Sequence, residues 1–221
     1  MGRGTMTYIS AEQSRLFDDF AINKMGISSV VLMERAALAV YRRLLESPNF
    51  SLKKVLVIAG TGNNGGDGAA VARLLHLRGI SATIWLLGDR QKASIEMQRQ
   101  LTIAENYGLS VVSSIDDLKN YSTIVDAIFG VGLSRDIKGK FAQVVEQINQ
   151  SAIPVMAVDI PTGIHADSGQ VMALAVKATE TVTMSYNKLG LAEKTGQAFA
   201  GLVTIADIGV YDPNSLKRYL D

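Results

Sequence analysis

Apolar positions recur along this chain with two periods, one of helices and one of buried strands, and the two alternate. Leu16, Phe17, Phe20 and Ala21 fall at helical spacing behind Ser10, with Gln13 three residues after it, so an N-cap and capping box open the first helix. Gly26 stops that helix. Ser28 or Ser29 caps a second helix, about 30–45, which turns Val31, Leu32, Ala36, Ala39, Val40 and Leu44 inward and ends at Ser47-Pro48-Asn49. From Lys54 onward short apolar runs predict strands at 55–59, 82–87, 109–112, 122–129, 154–158, 179–184 and 202–206. Helical patterns fall between them at 66–78, up to about Tyr107, and at 139–150, with short helices near 173–176 and 188–192.

Apolar strands that alternate with helices imply a parallel sheet covered on both faces. The predicted fold is α/β: a Rossmann-like three-layer α/β/α sandwich with a mostly parallel central sheet and two extra N-terminal helices. Those two helices are expected to lie along the sheet or to make a dimer contact. The 221 residues contain no internal repeat, low-complexity tract or linker, so 1–221 reads as a single domain, with 1–6 expected to be a tag scar ahead of a start at Met6 or a disordered end.

In such sheets ligands collect at the carboxyl ends of the strands. Three of these ends are unusual. The first is Gly60-Thr61-Gly62-Asn63-Asn64-Gly65-Gly66-Asp67-Gly68 between strand and helix, where missing Cβ atoms allow a close backbone approach and the helix start suits a phosphate. Its literal match to G-x-G-x-x-G is weak, because many loops carry it by chance. Turn chemistry explains an isolated Asn-Gly, but a double Asn, a double Gly and an Asp after a buried strand favour a ligand site. The second end is Asp126 in an apolar strand, followed by Gly130-Val131-Gly132-Leu133-Ser134-Arg135-Asp136. Asp126 reads equally as a cation ligand and as a helix cap or a carboxylate bonded to backbone. The third is Asp159-Ile160-Pro161-Thr162-Gly163, where Pro161 stiffens the turn and Asp159 is the best acid–base candidate, a turn-capping Asp being the bland alternative.

Composition narrows the chemistry. Without cysteine, disulfides, thiolate metal sites and cysteine nucleophiles are excluded, and two histidines make a zinc site a poor reading. His76 reads as packing or surface, and His165, just past Gly163, as loop-exposed. Lys188 reads as a solvated surface lysine, with an anionic contact as the weaker alternative. The formal net charge of +1 shows no basic excess, which argues against nucleic acid. No apolar run reaches membrane-spanning length and no signal core is present, so no membrane partner is expected and the default location is cytoplasmic. Met6 stands where the myristoylation pattern requires Ser or Thr.

These stretches resemble the YjeF N-terminal-domain family, the NAD(P)H-hydrate epimerases. Residues 59–68, 125–132 and 158–163 carry the match. Leu32-Met33-Glu34-Arg35-Ala36-Ala37, Lys188-Leu189-Gly190 and Ala206-Asp207-Ile208-Gly209 extend it from about Ser10 to Val210. The resemblance implies an isomerase that interconverts the R and S epimers of hydrated NADH or NADPH in nucleotide repair. Asp159 would be catalytic. Asn63, Asn64, Gly65, Gly66, Asp67, Asp159 and the loop from Gly130 to Asp136 would hold the substrate. One potassium ion per subunit would sit on Asn64, Asp126 and Thr162. Thr162 replaces the serine common in the family and keeps the hydroxyl. The resemblance further implies a homodimer and a functional partner, NAD(P)H-hydrate dehydratase. Many bacterial relatives carry that dehydratase as a following domain, so a chain ending at Asp221 is either a stand-alone epimerase or an excised domain. Two readings compete. An NAD(P) oxidoreductase would need an acidic residue about 20 positions past the glycines, and Asp89 comes late for it. A non-catalytic nucleotide- or protein-binding scaffold of the same fold would have no need of the acidic residues.

Overall fold

A computed structural model describes residues 8–216, so the expected scar at 1–6 lies outside the described residues. The elements run β1 (Tyr8–Ile9), α1 (Ala11–Asn23), α2 (Ser29–Glu46), β2 (Val55–Ala59), α3 (Asn63–Leu77), β3 (Ala82–Leu86), α4 (Ile95–Asn106), β4 (Ser110–Val112), β5 (Thr123–Ala127), α5 (Lys140–Gln150), β6 (Val155–Val158), β7 (Glu180–Met184), β8 (Asn187–Lys188), α6 (Leu189–Ala192), α7 (Lys194–Ala200), β9 (Leu202–Ala206) and α8 (Pro213–Leu216). Ser10 and Gln13 form the expected capping box on α1.

Seven strands make one sheet in the order β4-β3-β2-β5-β6-β7-β9, every described pair in it parallel. The chain moves outward from β2 to β3 and β4, then returns to the other side of β2 with β5. The β2–β5 boundary is therefore the point where strand order reverses, and a crevice opens there beyond the carboxyl ends. Side chains alternate as the strand period requires. Val55, Val57 and Ala59 join the core under α1 to α4, whereas Leu56 and Ile58 join Val144, Val145 and Ile148 of α5 on the opposite face. All five residues of β2 are buried, which explains their unbroken apolar run.

Two expectations need correction. Helix α3 begins at Asn63 rather than Gly66, so both asparagines belong to its first turn. Residues 173–176 are not helical. Their segment is tied to the turn after β6, with the Val176 N–H donating to the Thr162 carbonyl and the Met172 N–H to that of Gly163. Ala173 there has φ of 67°, incompatible with a continuing helix. The N-terminal helices do lie along the sheet. Arg43, Ser47 and Asn49 bind the buried carboxylate of Glu180 at the start of β7. Burial pushes Glu180 up, but these hydrogen bonds outweigh it and hold the carboxyl below its ordinary value. The two-residue strand β1 pairs with β8, Ile9 beside Lys188, and ties the start of α1 to the far side of the crevice. Among the described residues no helix is long and apolar enough to cross a membrane.

Candidate active site

A cavity of about 740 Å³ lies in that crevice. Its floor is the start of α3, one wall is the loop after β5, another is the tip of β6 with 184–186, and α1 and α2 close it. Such a volume suits a nucleotide-sized ligand.

The glycine loop builds the floor chiefly through packing. None of its glycines has positive φ. A Cβ on Gly65 would stand 2.0 Å from the Gly60 carbonyl oxygen, one on Gly66 2.6 Å from Met33, and one on Gly68 2.4 Å from the Ala127 methyl. The glycines thus seat α3 directly on β2, β5 and α2. Gly62 alone in this loop has nothing within 4 Å of its would-be Cβ, and it faces the cavity. The first N–H groups of α3 lack intrahelical acceptors and carry partial positive charge, the setting that favours an anion. Asn63, Asn64 and Asp67 line the cavity, as do Gly130, Val131, Gly132, Leu133, Ser134 and Arg135. Gly65 and Gly66 lie beneath the lining, and Asp136 is exposed outside it.

Asp159 lines the cavity in a left-handed conformation, φ 67°, which Asp tolerates better than most residues but which still signals constraint. Its Oδ1 accepts three hydrogen bonds, from Lys188 Nζ at 2.7 Å, Met184 N at 3.1 Å and Thr183 Oγ1 at 3.2 Å. Lys188 is 1% exposed, and its ammonium also donates to Thr183 Oγ1, Met184 O and Tyr186 O. The solvated-lysine reading is therefore wrong. No local pattern flags Lys188, since its burial depends on the β1–β8 pairing.

Asp126 sits behind the wall, 1% exposed, beside Ala157 in the sheet register. Its Oδ1 accepts from Thr162 Oγ1 at 2.7 Å and Ile128 N at 3.3 Å, and its Oδ2 from Thr162 N at 2.8 Å. Burial raises its pKa to about 6 against the pull of those donors. Asn64 approaches Gly130 at the rim, and its Nδ2 is buried without a partner. Three His, Asp or Glu side chains gather nowhere among the described residues as a metal cluster. What Asn64, Asp126 and Thr162 offer is a different set, an amide, a carboxylate and a hydroxyl, the oxygen chemistry of a hard monovalent or divalent cation.

Asp18 is the residue the sequence reading missed. Ser14, Asp18 and Ile22 form an i, i+4 stripe on α1 that lines the cavity beside Phe17. Burial first, then the Asp159 charge, raise Asp18 to about 6, with Lys188 pulling the other way. Asp67 is pushed well up by burial and by the charges of Asp159 and Asp18. The available signal was an acidic residue set inside the apolar stripe of an amphipathic helix.

His76 Nε2 contacts the Tyr107 carbonyl, and His165 Nδ1 serves its own turn with Asp167 and Ser168, so neither joins the site. Asp89 caps a short 3₁₀ turn by accepting from Gln91 N and does not line the cavity, which removes the ribose ligand an oxidoreductase reading needs.

The model of the YjeF-related protein N-terminus matches residues 29–190. A curated protein of Oenococcus oeni named NAD(P)H-hydrate epimerase is 64% identical over 209 residues, covering 95% of this chain and 100% of its own. One of the same name from Levilactobacillus brevis is 49% identical, covering 95% and 97%. The crystal structure of the yeast protein ynu0 (YNL200c) superposes with a TM-score of 0.75 at 24% identity, covering 90% of this chain and 87% of its own, a likeness of fold.

Proposed function

The chain belongs to the YjeF-related N-terminal family, and we propose that it is an NAD(P)H-hydrate epimerase, an isomerase interconverting the R and S epimers of hydrated NADH and NADPH. The substrate carries a hydroxyl on the ring carbon next to nitrogen. Inverting that carbon needs no electron acceptor, only proton transfer that lets a bond to it break and re-form. The carrying observation is the Asp159 carboxyl, fixed at the cavity wall by Lys188 while its Oδ2 is left out of those bonds.

The other residues divide the remaining work. The open N–H groups of α3 and the Arg135 guanidinium suit the pyrophosphate. Asn63, Asn64 and the loop from Gly130 to Arg135 position the nucleotide, and the apolar walls from Phe17, Met33 and Ile128 exclude water from the ring. Asn64, Asp126 and Thr162 would hold a potassium ion. The fit rests on the Asn64 amide, whose buried Nδ2 has no partner among the described residues and which presents Oδ1 after a half-turn, and on a buried carboxylate to which no described cationic side chain is bonded. When bound, such an ion supplies positive charge against Asp126 and the nucleotide phosphates.

A homodimer and a dehydratase that consumes one epimer complete this reading, since inversion is useful only when a second enzyme accepts a single epimer. The test follows purified R hydrate by chromatography, with and without potassium. Appearance of the S hydrate at a rate proportional to protein supports the function, and protein without effect on the spontaneous rate refutes it.

A further inference from the structure

Asp159 has one oxygen committed to three donors, so it is held in place rather than free to swing. Asp18 reaches the same cavity from a different element, α1, and sits near enough to Asp159 and Lys188 to feel both charges. Among the described residues none donates a hydrogen bond to the Asp18 carboxyl, which faces the cavity beside Ser14. The start of α1 is anchored twice, by β1 against β8 and by the Ala11 N–H donating to Asp167 Oδ1 at 2.6 Å. That anchoring fixes where Asp18 stands.

Inversion by C–O cleavage makes a demand that one carboxyl meets poorly. The hydroxyl must be protonated as it leaves one face of the ring, and the water returning to the other face must lose a proton. We infer that Asp18 is a second acid–base residue of this reaction, exchanging a proton with the departing or arriving oxygen while Asp159 serves the other. The inference rests on the epimerase reading above.

The step balances. The C–O pair leaves with oxygen, the Asp18 proton turns that oxygen into water, and the ring nitrogen lone pair closes a C=N bond. Water then adds to the carbon from the opposite face, the C=N pair returns to nitrogen, and the surplus proton passes to Asp159. The net change is one proton moved from Asp18 to Asp159, and its return resets the site. Asp18 suits the first role because its titration falls near working pH, the condition for efficient proton exchange. Asp67 is pushed well above its ordinary value by burial and by the charges of Asp159 and Asp18. The charged and titratable groups sharing the cavity with Asp18 are Asp159, Asp67, Arg135 and Tyr186, with Lys188 buried behind Asp159.

The test compares wild type, Asp18→Asn and Asp18→Glu on purified R hydrate from pH 5 to 8.5, with the reaction repeated in ¹⁸O-labelled water. Expected results are a wild-type kcat/KM that declines above about pH 6 and a drop in kcat of at least about 100-fold in Asp18→Asn with KM changed less than about threefold. That limb is absent from the residual activity of Asp18→Asn, Asp18→Glu recovers part of the loss, and solvent oxygen enters the ring carbon with each inversion. Thermal melts of the variants check folding. An Asp18→Asn enzyme with wild-type kcat, a loss confined to KM, or inversion with the original oxygen retained overturns the inference and leaves the epimerase standing. Wild-type protein inert toward both hydrates overturns both.

Discussion

The Nζ of Lys188 lies 2.7 Å from Oδ1 of Asp159, although 29 residues separate them. The lysine is buried and its other acceptors are Thr183 Oγ1 and two carbonyls, so its charge is spent inside the protein on fixing Asp159. Replacing Lys188 by Met strands the partly buried Asp159 carboxylate and two carbonyl oxygens. The expected cost is about 3–5 kcal/mol in urea unfolding, the usual range for breaking a buried pair from one side. The accompanying Asp159→Asn change should recover part of it. A single variant as stable as wild type would show that water replaces the ammonium without penalty.

Asp159→Asn keeps the left-handed backbone at this position, because Asn tolerates it as Asp does. Folding should therefore survive while epimerisation falls by at least about 100-fold, the low end of what a positioned proton-transfer group contributes. Circular dichroism and the chromatographic assay check the two halves. Wild-type turnover would remove Asp159 from the chemistry.

Much of this was legible in the sequence. Strand β2 and the helix after it could be read because a fully buried parallel strand leaves an unbroken apolar run. The convergence of Asn64, Asp67 and Asp159 on one cavity followed from strand ends alone. Asp18 was passed over and the anionic contact of Lys188 was ranked second for another reason: the placement of both depends on a two-residue strand pairing with no periodicity of its own. The glycines were legible as a close approach, but the approaching partner is mainly strand backbone and side chains rather than ligand.

The titration of Asp18 predicts a pH signature in stability. The folded protein holds that proton up to about pH 6, whereas the unfolded chain releases it near 3.8. Between those values the native state binds more protons, so stability falls as pH rises, and above pH 6 the penalty is constant. Asp18→Asn removes this penalty. It should be more stable than wild type at pH 7 by about 1–2 kcal/mol after allowance for solvent screening, with the advantage shrinking toward pH 4. Urea melts at pH 4, 5, 6 and 7 measure this. A pH-independent difference between the two proteins would contradict the assignment.

Potassium should stabilise the folded protein, since a ligand that binds only the native state raises its melting temperature by mass action. Exchanging choline chloride for KCl at constant ionic strength is expected to raise the wild-type melting temperature by a few degrees, on the order of 1 kcal/mol. Asn64→Ala removes an amide whose nitrogen is buried without a partner and should lose that increment without losing the fold. An equal potassium response in both proteins would take Asn64 out of the cation site.

Two glycines of one loop separate packing from binding. A methyl on Gly68 would meet the Ala127 Cβ at 2.4 Å and Val57 at 3.1 Å, so Gly68→Ala must lift α3 from β5. Overpacking of that kind costs about 1–3 kcal/mol, and it should also disturb the cavity because the same helix start forms its floor. Gly62 precedes α3 with φ of −88° and nothing within 4 Å of a would-be Cβ. Gly62→Ala should therefore stay within about 1 kcal/mol of wild type, the small loss reflecting a poorer N-cap. Its methyl points into the space where the helix N–H groups would meet a phosphate, so the expected change is a raised KM at nearly unchanged stability. A Gly62→Ala protein with wild-type KM would mean that the nucleotide passes elsewhere in the cavity, and the helix start would then have only its packing role.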